Sequence, residues 1–497
     1  MAITPDIAWE PLSLNEWSED AARHLLRRVQ WTATPEEVQR AFTEGLPATL
    51  DRMFPSKGPL FKEDDALAEM GEEKTKIQSE RAEADTEMDK RKLRKELRKA
   101  AKTAMVDMSM DWLGYASNPK NAAFAKWVLF LSDIYVVAYN KVKKPDSIYT
   151  HFDIISRNAL GPAPVLTKAI SRSPAMVNYL DLNKSNKKSP NENFARELME
   201  LFVLGEGNYT EHDVKEAARA FTGYRQRKNV GTVVIIPNQH DLGNKTVFGK
   251  TGRFNGDNVI DLAYQLPAAG AFLPHEMIKF YLSDTMIDHS YLDSLGQKWR
   301  KANYSLQWIA KTFFGSKLFF EEKYRGNFVK SPIQFYLGLL QDLKLNVLPV
   351  PRFVITPFKQ MGQVLFDPPN VRGWVGGFQW INSTSLAARR NMVEGLFTPF
   401  YEAGLNEDEK RAIASARAQG EAVFKVDSSL LENISKNKPQ DIAQMLVKQF
   451  LCISPKTSYI EAIQAYLVGH DTRHAEYERR IKRAMITIFA SAEYQLT

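Results

Sequence analysis

Residues 189–224, SPNENFARELMELFVLGEGNYTEHDVKEAARAFTGY, decide the fold class. Ser189-Pro190-Asn191-Glu192 has the form of a capping box with proline at the first helical position, which predicts a helix running to Leu204 and stopping at Gly205. Thr210-Glu211-His212-Asp213 opens a second helix in the same way, and Gly223 ends it. This succession of helix, glycine stop and helix reads as a mainly α fold.

The reading extends outward in both directions. Residues 18–31 and 35–54 read as two amphipathic helices, the second capped by Thr34, with Pro35 first and Glu37 three residues beyond the cap. Between Lys62 and Asp111 there is no aromatic residue, and residues 61–100 hold 12 acids and 11 bases, acids leading and bases trailing. That order suits a helix dipole. A thin apolar stripe through Met70, Ile77, Ala84, Met88, Leu93, Leu97, Ala101, Ala104 and Met108 predicts one long helix over 66–115. At about 1.5 Å per residue it is ~75 Å long, an arm that projects or lies along the body.

Further helices are expected from Trp112 to about Gly223. Over 230–255 the pattern changes: Val233 to Ile236 reads as a strand, and glycines 243, 249, 252 and 256 mark turns. Helices resume at Asp257 and break at Pro267. Residues 366–380, FDPPNVRGWVGGFQW, read as a helix-free loop, a helix follows from about Ser383, and 406–497 close with three or four more. The expected architecture is a multi-helix globular protein, mainly α, with a long charged helical arm and a small β-hairpin insertion. Its segments are 1–60, the arm 61–111, a main helical domain 112–405 and a C-terminal helical segment 406–497.

Composition excludes several function classes. With 44% hydrophobic and 25% charged residues the chain is not generally disordered. One cysteine, Cys452, rules out an internal disulfide or a thiolate-rich metal centre. The net charge is 66 − 59 = +7, but Lys90 to Lys99 (KRKLRKELRK) contributes +6, so nucleic acid is not the expected partner. The most apolar stretch, Trp127 to Tyr139 (WVLFLSDIYVVAY), has 13 residues and contains Asp133. It is short of the ~20 residues of a membrane span. No signal peptide opens the sequence, so the expected location is cytoplasmic.

Gly243 to Thr251 (GNKTVFGKT) resembles a phosphate-binding loop but has five residues where four are needed, so a turn-rich hairpin is expected. His470 and His474 stand at i and i+4, yet Gly469 and Asp471 point to a turn rather than a metal-binding face. On the helix after Ser189, Asn193, Glu197 and Glu200 form a strip along the edge of the apolar face. Carboxylates one turn apart suit acid–base work or a cation. Alternatively they are structural, with Arg196 paired to Glu192 and Glu200. The catalytic candidates are Glu197, Glu200, His240 and Asp241; the ligand-binding candidates are Asn193, Arg196, Lys245, Trp374, Trp380 and Asn382. An enzyme would bring Glu197, Glu200, Asp213, His240 and Asp241 into one cleft. No metal and no cofactor is expected.

Several segments resemble one family. Asn191 to Phe202 (NENFARELMELF), Ala217 to Tyr224 (AARAFTGY), Leu25-Leu26-Arg27-Arg28, His240-Asp241, Lys330-Ser331-Pro332, Trp380-Ile381-Asn382 and Glu493-Tyr494-Gln495-Leu496 resemble bacterial domain-of-unknown-function family 1800. The resemblance implies a helical bacterial protein; many members are thought to be exported and encoded beside exported phosphatase-like proteins. Members usually carry Trp-His-x-His-Phe where this chain has Leu131-Ser132-Asp133-Ile134-Tyr135. The chain therefore reads as a divergent member, a non-catalytic binding or scaffold protein of a bacterial assembly. The competing expectation is a hydrolase-like enzyme using carboxylates and His240. A protein partner, or self-association, is expected through the arm 62–111.

Overall fold

A computed structural model describes residues 3–62, 71, 74–77, 79–80, 86–227, 233–453, 455–468 and 474–497. The expectations at Met70, Ala84, His470 and 230–232 lie outside these residues. The protein is mainly α, with two small antiparallel hairpins, Tyr224–Gln226 with Val233–Ile235 and Lys245–Val247 with Lys250–Gly252. The near phosphate loop is the second hairpin, turned by Phe248 and Gly249, both at positive φ.

The local signals hold at most helix starts. Ser18 caps Glu19–Val29, and Thr34 accepts the Glu37 amide at the head of Pro35–Met53. The latter helix kinks at Gly45, two residues before Pro47, and Arg52 ties its halves by pairing with Glu37 and Glu44. Thr210 and Asp213 form the capping box of Glu211–Ala220. Asp213 also accepts the Phe248 amide at 2.7 Å, fastening the second hairpin to this helix.

The arm differs from its expectation. Thr86 has extended backbone angles and caps a 31-residue helix, Glu87–Ser117, about 46 Å long, so no single helix spans 66–115. Its first turns bury nothing fully, and Met88, assigned to the apolar stripe, is 80% exposed. Burial begins at Ala104 and continues through Met105, Met108 and Trp112. The basic decade therefore lies on the projecting half, and the second half lies along the body. The C-terminal segment holds five helices among the described residues, against three or four expected.

The main apolar core runs from Ala8 to Tyr494, with Trp31, Trp112, Trp127 and Trp299 among its fully buried side chains, and a small second cluster joins Leu348 and Val350 to Leu405, Ile413 and Phe424. Buried cations staple it. Arg28 donates to the carbonyls of Tyr281 and Leu282, Lys126 to those of Arg28 and Gln30, and Arg389 to that of Lys330 and to the Gln495 side chain. A buried charge is tolerated only when acceptors surround it. Burial lowers the Arg28 guanidinium to about 9 and the Lys330 ammonium to about 7. Arg27 and Arg28, in a segment that resembles the family, thus bind backbone carbonyls, Arg27 those of Gln449 and Leu451. Among the described residues, no helix is long and apolar enough to cross a membrane.

Candidate functional site

Two helices leave the α register on facing walls of one cavity. The first is the helix expected to start at Ser189. Ser189 instead bonds back to Asn186, the Asn191 side chain accepts the Asn193 amide, and the helix spans Asn193–Glu197. Over Leu198–Val203 it widens into a π-helix, with Leu204 and Gly205 both donating to the Met199 carbonyl. The wider turn takes Glu200 out of the register it would share with Asn193 and Glu197. The second helix, Pro267–Met277, widens over Ile278–Leu282. π segments inside helices are frequent at functional sites because they re-aim side chains.

Between them lies a cavity of about 620 Å³, lined by Asp133, Glu200, His275, Glu276, Lys279 and Arg372 among others. A second cavity of about 360 Å³ shares Asp133, Ile134, Glu276, Lys279 and Arg372 with the first, and adds the aromatic walls Phe280, Trp374, Phe378 and Trp380. These volumes fall in the range of small-ligand sites. The aromatic wall belongs to the loop expected at 366–380, which includes one 3₁₀ turn at Gly377–Trp380.

Two carboxylates hold that loop by its backbone. Asp133 accepts the Trp374 amide at 2.8 Å, and Asp284 accepts the Phe378 amide at 3.1 Å. Each contact is preceded by a glycine at positive φ, Gly373 at +83° and Gly377 at +57°. A Cβ on Gly373 would stand 2.2 Å from Asp133 Oδ1, and one on Gly377 would stand 1.8 Å from Asp284 Oδ1. Only glycine fits both the backbone and the approach.

The acids here differ in environment. Burial pushes the Asp133 carboxyl up to about 7, opposed by the Trp374 amide and reinforced by the negative charge of Glu276. Burial also acts on Glu276, but hydrogen bonding from His275 and the charge and hydrogen bonds of Lys279 hold it below the ordinary carboxylate range. Glu200 accepts from Arg372 at 2.7 Å and from the Tyr209 hydroxyl at 3.0 Å, and Arg372 also reaches Glu206 at 2.7 Å. Glu197 is raised by burial and by the neighbouring Glu200. Asp133 is thus a protonatable carboxyl near the ionised Glu276, and both line space that a polar ligand can fill. Among the described residues no three His, Cys, Asp or Glu side chains are grouped to hold a metal ion.

The candidates from sequence do not gather in one place, and Glu197 is not among the residues lining either cavity. Glu200, Trp374 and Trp380 line the joined cavities. His240, Asp241 and Lys245 instead build the hairpin junction. The His240 ring bonds the Thr222 carbonyl, and Asp241 pairs with Arg219 at 2.8 Å. Lys245, 1% exposed, donates to the carbonyls of Asp241 and Gly243. Asp213 caps its helix there. Their hydrogen bonds and ion pairs do not include Glu197 or Glu200, so the five residues expected in one cleft do not form one bonded cluster. Arg196 pairs with Glu192, as the structural alternative required, but its second partner is Glu211 rather than Glu200. Asn193 is exposed, and Asn382 caps Ser383–Phe397.

Asp133, His275, Glu276, Lys279 and Arg372 were not singled out for chemistry from sequence. One signal was present: Asp133 is the only charge in the apolar run 127–139, and a lone acid in a core helix has to be explained. Ile134 stands where the resembled family carries its second histidine, and it lines both cavities. Ser132, at the first histidine's position, donates to the Leu129 carbonyl.

No curated protein and no solved structure matches the chain. A sequence model described as a protein of unknown function, DUF1800, matches residues 24–496, nearly its whole length. The chain belongs to the DUF1800 family.

Proposed function

We propose that the protein is a binding protein of a bacterial assembly, divergent within its family, and that its ligand occupies the joined cavities. The observation that carries this reading is the pairing of most charged groups there. Arg372 with Glu200 and Glu206, and Lys279 with Glu276, form a preset polar wall opposite aromatic faces. Carboxylates outnumber cations around the larger cavity, which suits a ligand bearing amino and hydroxyl groups. Binding of glucosamine, spermidine and glucose, followed by thermal shift and calorimetry, tests it. Saturable binding of one of them that weakens in Glu276→Gln, with the ligand recovered unaltered, is the expected result. No Glu276-dependent binding would overturn the reading.

A second reading, a hydrolase-like enzyme, is favoured by one feature: Asp133 is raised to about 7 while Glu276 is held low. Carboxyls pushed apart in this way suit an acid and a base. Turnover of a glucosaminide that disappears in Asp133→Asn, with binding intact, would support it.

For partners, the projecting half of the arm helix supports contact with an acidic surface of another chain. Its basic side chains Arg91, Lys92, Arg94 and Lys95 are exposed. Charge pairing of this kind weakens with salt. Reversal of Lys90, Arg91, Lys92, Arg94 and Lys95 to glutamate should abolish low-salt self-association; unchanged association with intact folding would leave the arm a solvated face.

A further inference from the structure

Away from the joined cavities, the middle of the arm helix, from Leu97 to Ser109, forms one wall of a separate groove of about 710 Å³. Its lining is apolar where it is deepest. Leu97, Ala101 and Met105 come from the arm helix, and Ile355, Val364 and Leu365 from the helix Pro351–Met361 and the loop after it. Met105 and Leu365 are largely buried and belong to the core, so the floor is closed from below. The rim is cationic: Arg98 and Lys102 on the arm helix, Lys143 and Lys144 just before the helix Pro145–Asn158, and Lys359 on the helix Pro351–Met361. All five are exposed. Among the described residues none of the five has a carboxylate within ion-pair distance, whereas Lys74, also on the rim, pairs with Asp146 at 3.6 Å. Asp367, with a carboxyl raised by burial, is the second acid at the groove.

An apolar slot whose rim cations have no carboxylate partner among the described residues matches an anionic amphiphile. Its contents must remove the apolar floor from water, which is favourable in proportion to the area covered, and must bring negative charge to the rim. We propose that the groove binds a single-chain anionic amphiphile, a long-chain fatty carboxylate, with the acyl chain along Leu97, Ala101 and Met105 and the head group among Lys102, Lys143 and Lys359. A bilayer surface is the poorer match, because the apolar residues line a concavity and cannot reach into a membrane, whereas a free chain can enter the slot. A flat acidic protein surface leaves the floor wet for the same reason.

The test uses the full chain and a fluorescent long-chain fatty acid, displaced by hexadecanoate, by hexadecanol and by an acidic amphipathic peptide. Expected are saturable binding, displacement by hexadecanoate, and displacement by hexadecanol about tenfold weaker, since the alcohol lacks the charge that the rim attracts. The variant Lys102→Glu/Lys143→Glu/Lys359→Glu changes exposed positions only, and should weaken the carboxylate at least about tenfold while leaving hexadecanol unchanged. Ala101→Trp, which fills the slot, should weaken both ligands; native unfolding temperatures for both variants confirm that the fold is retained. Absence of saturable binding, equal affinity for acid and alcohol, or indifference to the charge reversal would overturn the proposal. Displacement by the peptide but not by hexadecanoate would also overturn it and identify the groove as a protein-docking surface.

Discussion

Replacing Asp133 by asparagine tests the central electrostatic feature of the site. Asn keeps an Oδ1 to accept the Trp374 amide but cannot ionise, so the substitution isolates the charge. The Asp133 carboxyl is raised from 3.8 to about 7, so between these values the folded protein binds more protons than the unfolded chain. Stability conferred by this residue is therefore complete below pH ~4 and falls as pH rises towards 7. The difference between 3.8 and about 7 corresponds to at most roughly 4 kcal/mol, at ~1.4 kcal/mol per factor of ten in proton affinity. Asp133 retains some solvent contact, and ~1–3 kcal/mol is the fairer expectation. Urea unfolding of wild type and Asp133→Asn at pH 4.5 and pH 8 measures it. The two should be close in stability at pH 4.5, and the variant should be more stable by that amount at pH 8. Comparing differences between the proteins cancels the other titrating groups. A variant less stable than wild type at pH 8, or a difference that does not change with pH, would refute the burial argument.

Four other outcomes follow from the same geometry. Gly377→Ala should cost about 1–3 kcal/mol, because its Cβ meets Asp284 and its φ is positive; thermal unfolding with and without Asp284→Ala, which relieves the clash, separates the two causes. Arg372→Met should change stability by no more than ~1 kcal/mol, since the guanidinium is exposed, yet amide exchange in 371–379 should accelerate if the Glu200 and Glu206 pairs brace the loop. Lys245→Ala should destabilise by ~2–4 kcal/mol, as it removes a buried donor from two carbonyls, and His240→Ala should leave ligand binding in the joined cavities unaltered. Loss of that binding in His240→Ala with intact folding would return the hairpin junction to the site.

Legibility of the molecule divides by distance along the chain. Thr34 and Thr210 cap their helices because a side-chain oxygen and an amide three residues on settle the matter locally. The turn-rich hairpin at 243–251 was readable for the same reason. The Ser189 cap failed although its pattern was good: Asn186 and Asn191 offered competing local bonds, and the helix began at Asn193. Candidates chosen for polarity on a turn, His240, Asp241 and Lys245, proved to be a junction, because turn polar groups bond their own backbone as readily as a ligand.

Sequence alone determined that the protein is mainly α, where several helices begin, that one cysteine leaves no partner for an internal disulfide, and that a basic segment stands apart in composition. Tertiary structure decided the site. Glu200 meets Arg372 across 172 residues, and Asp133 meets Trp374 across 241, so no local spacing records either contact. The π turns that aim Glu200 and Lys279 at the cavity have no pattern of their own in an apolar helix. The rise of the Asp133 carboxyl comes from what packs around it, and burial is a property of the folded chain rather than of any residue in it.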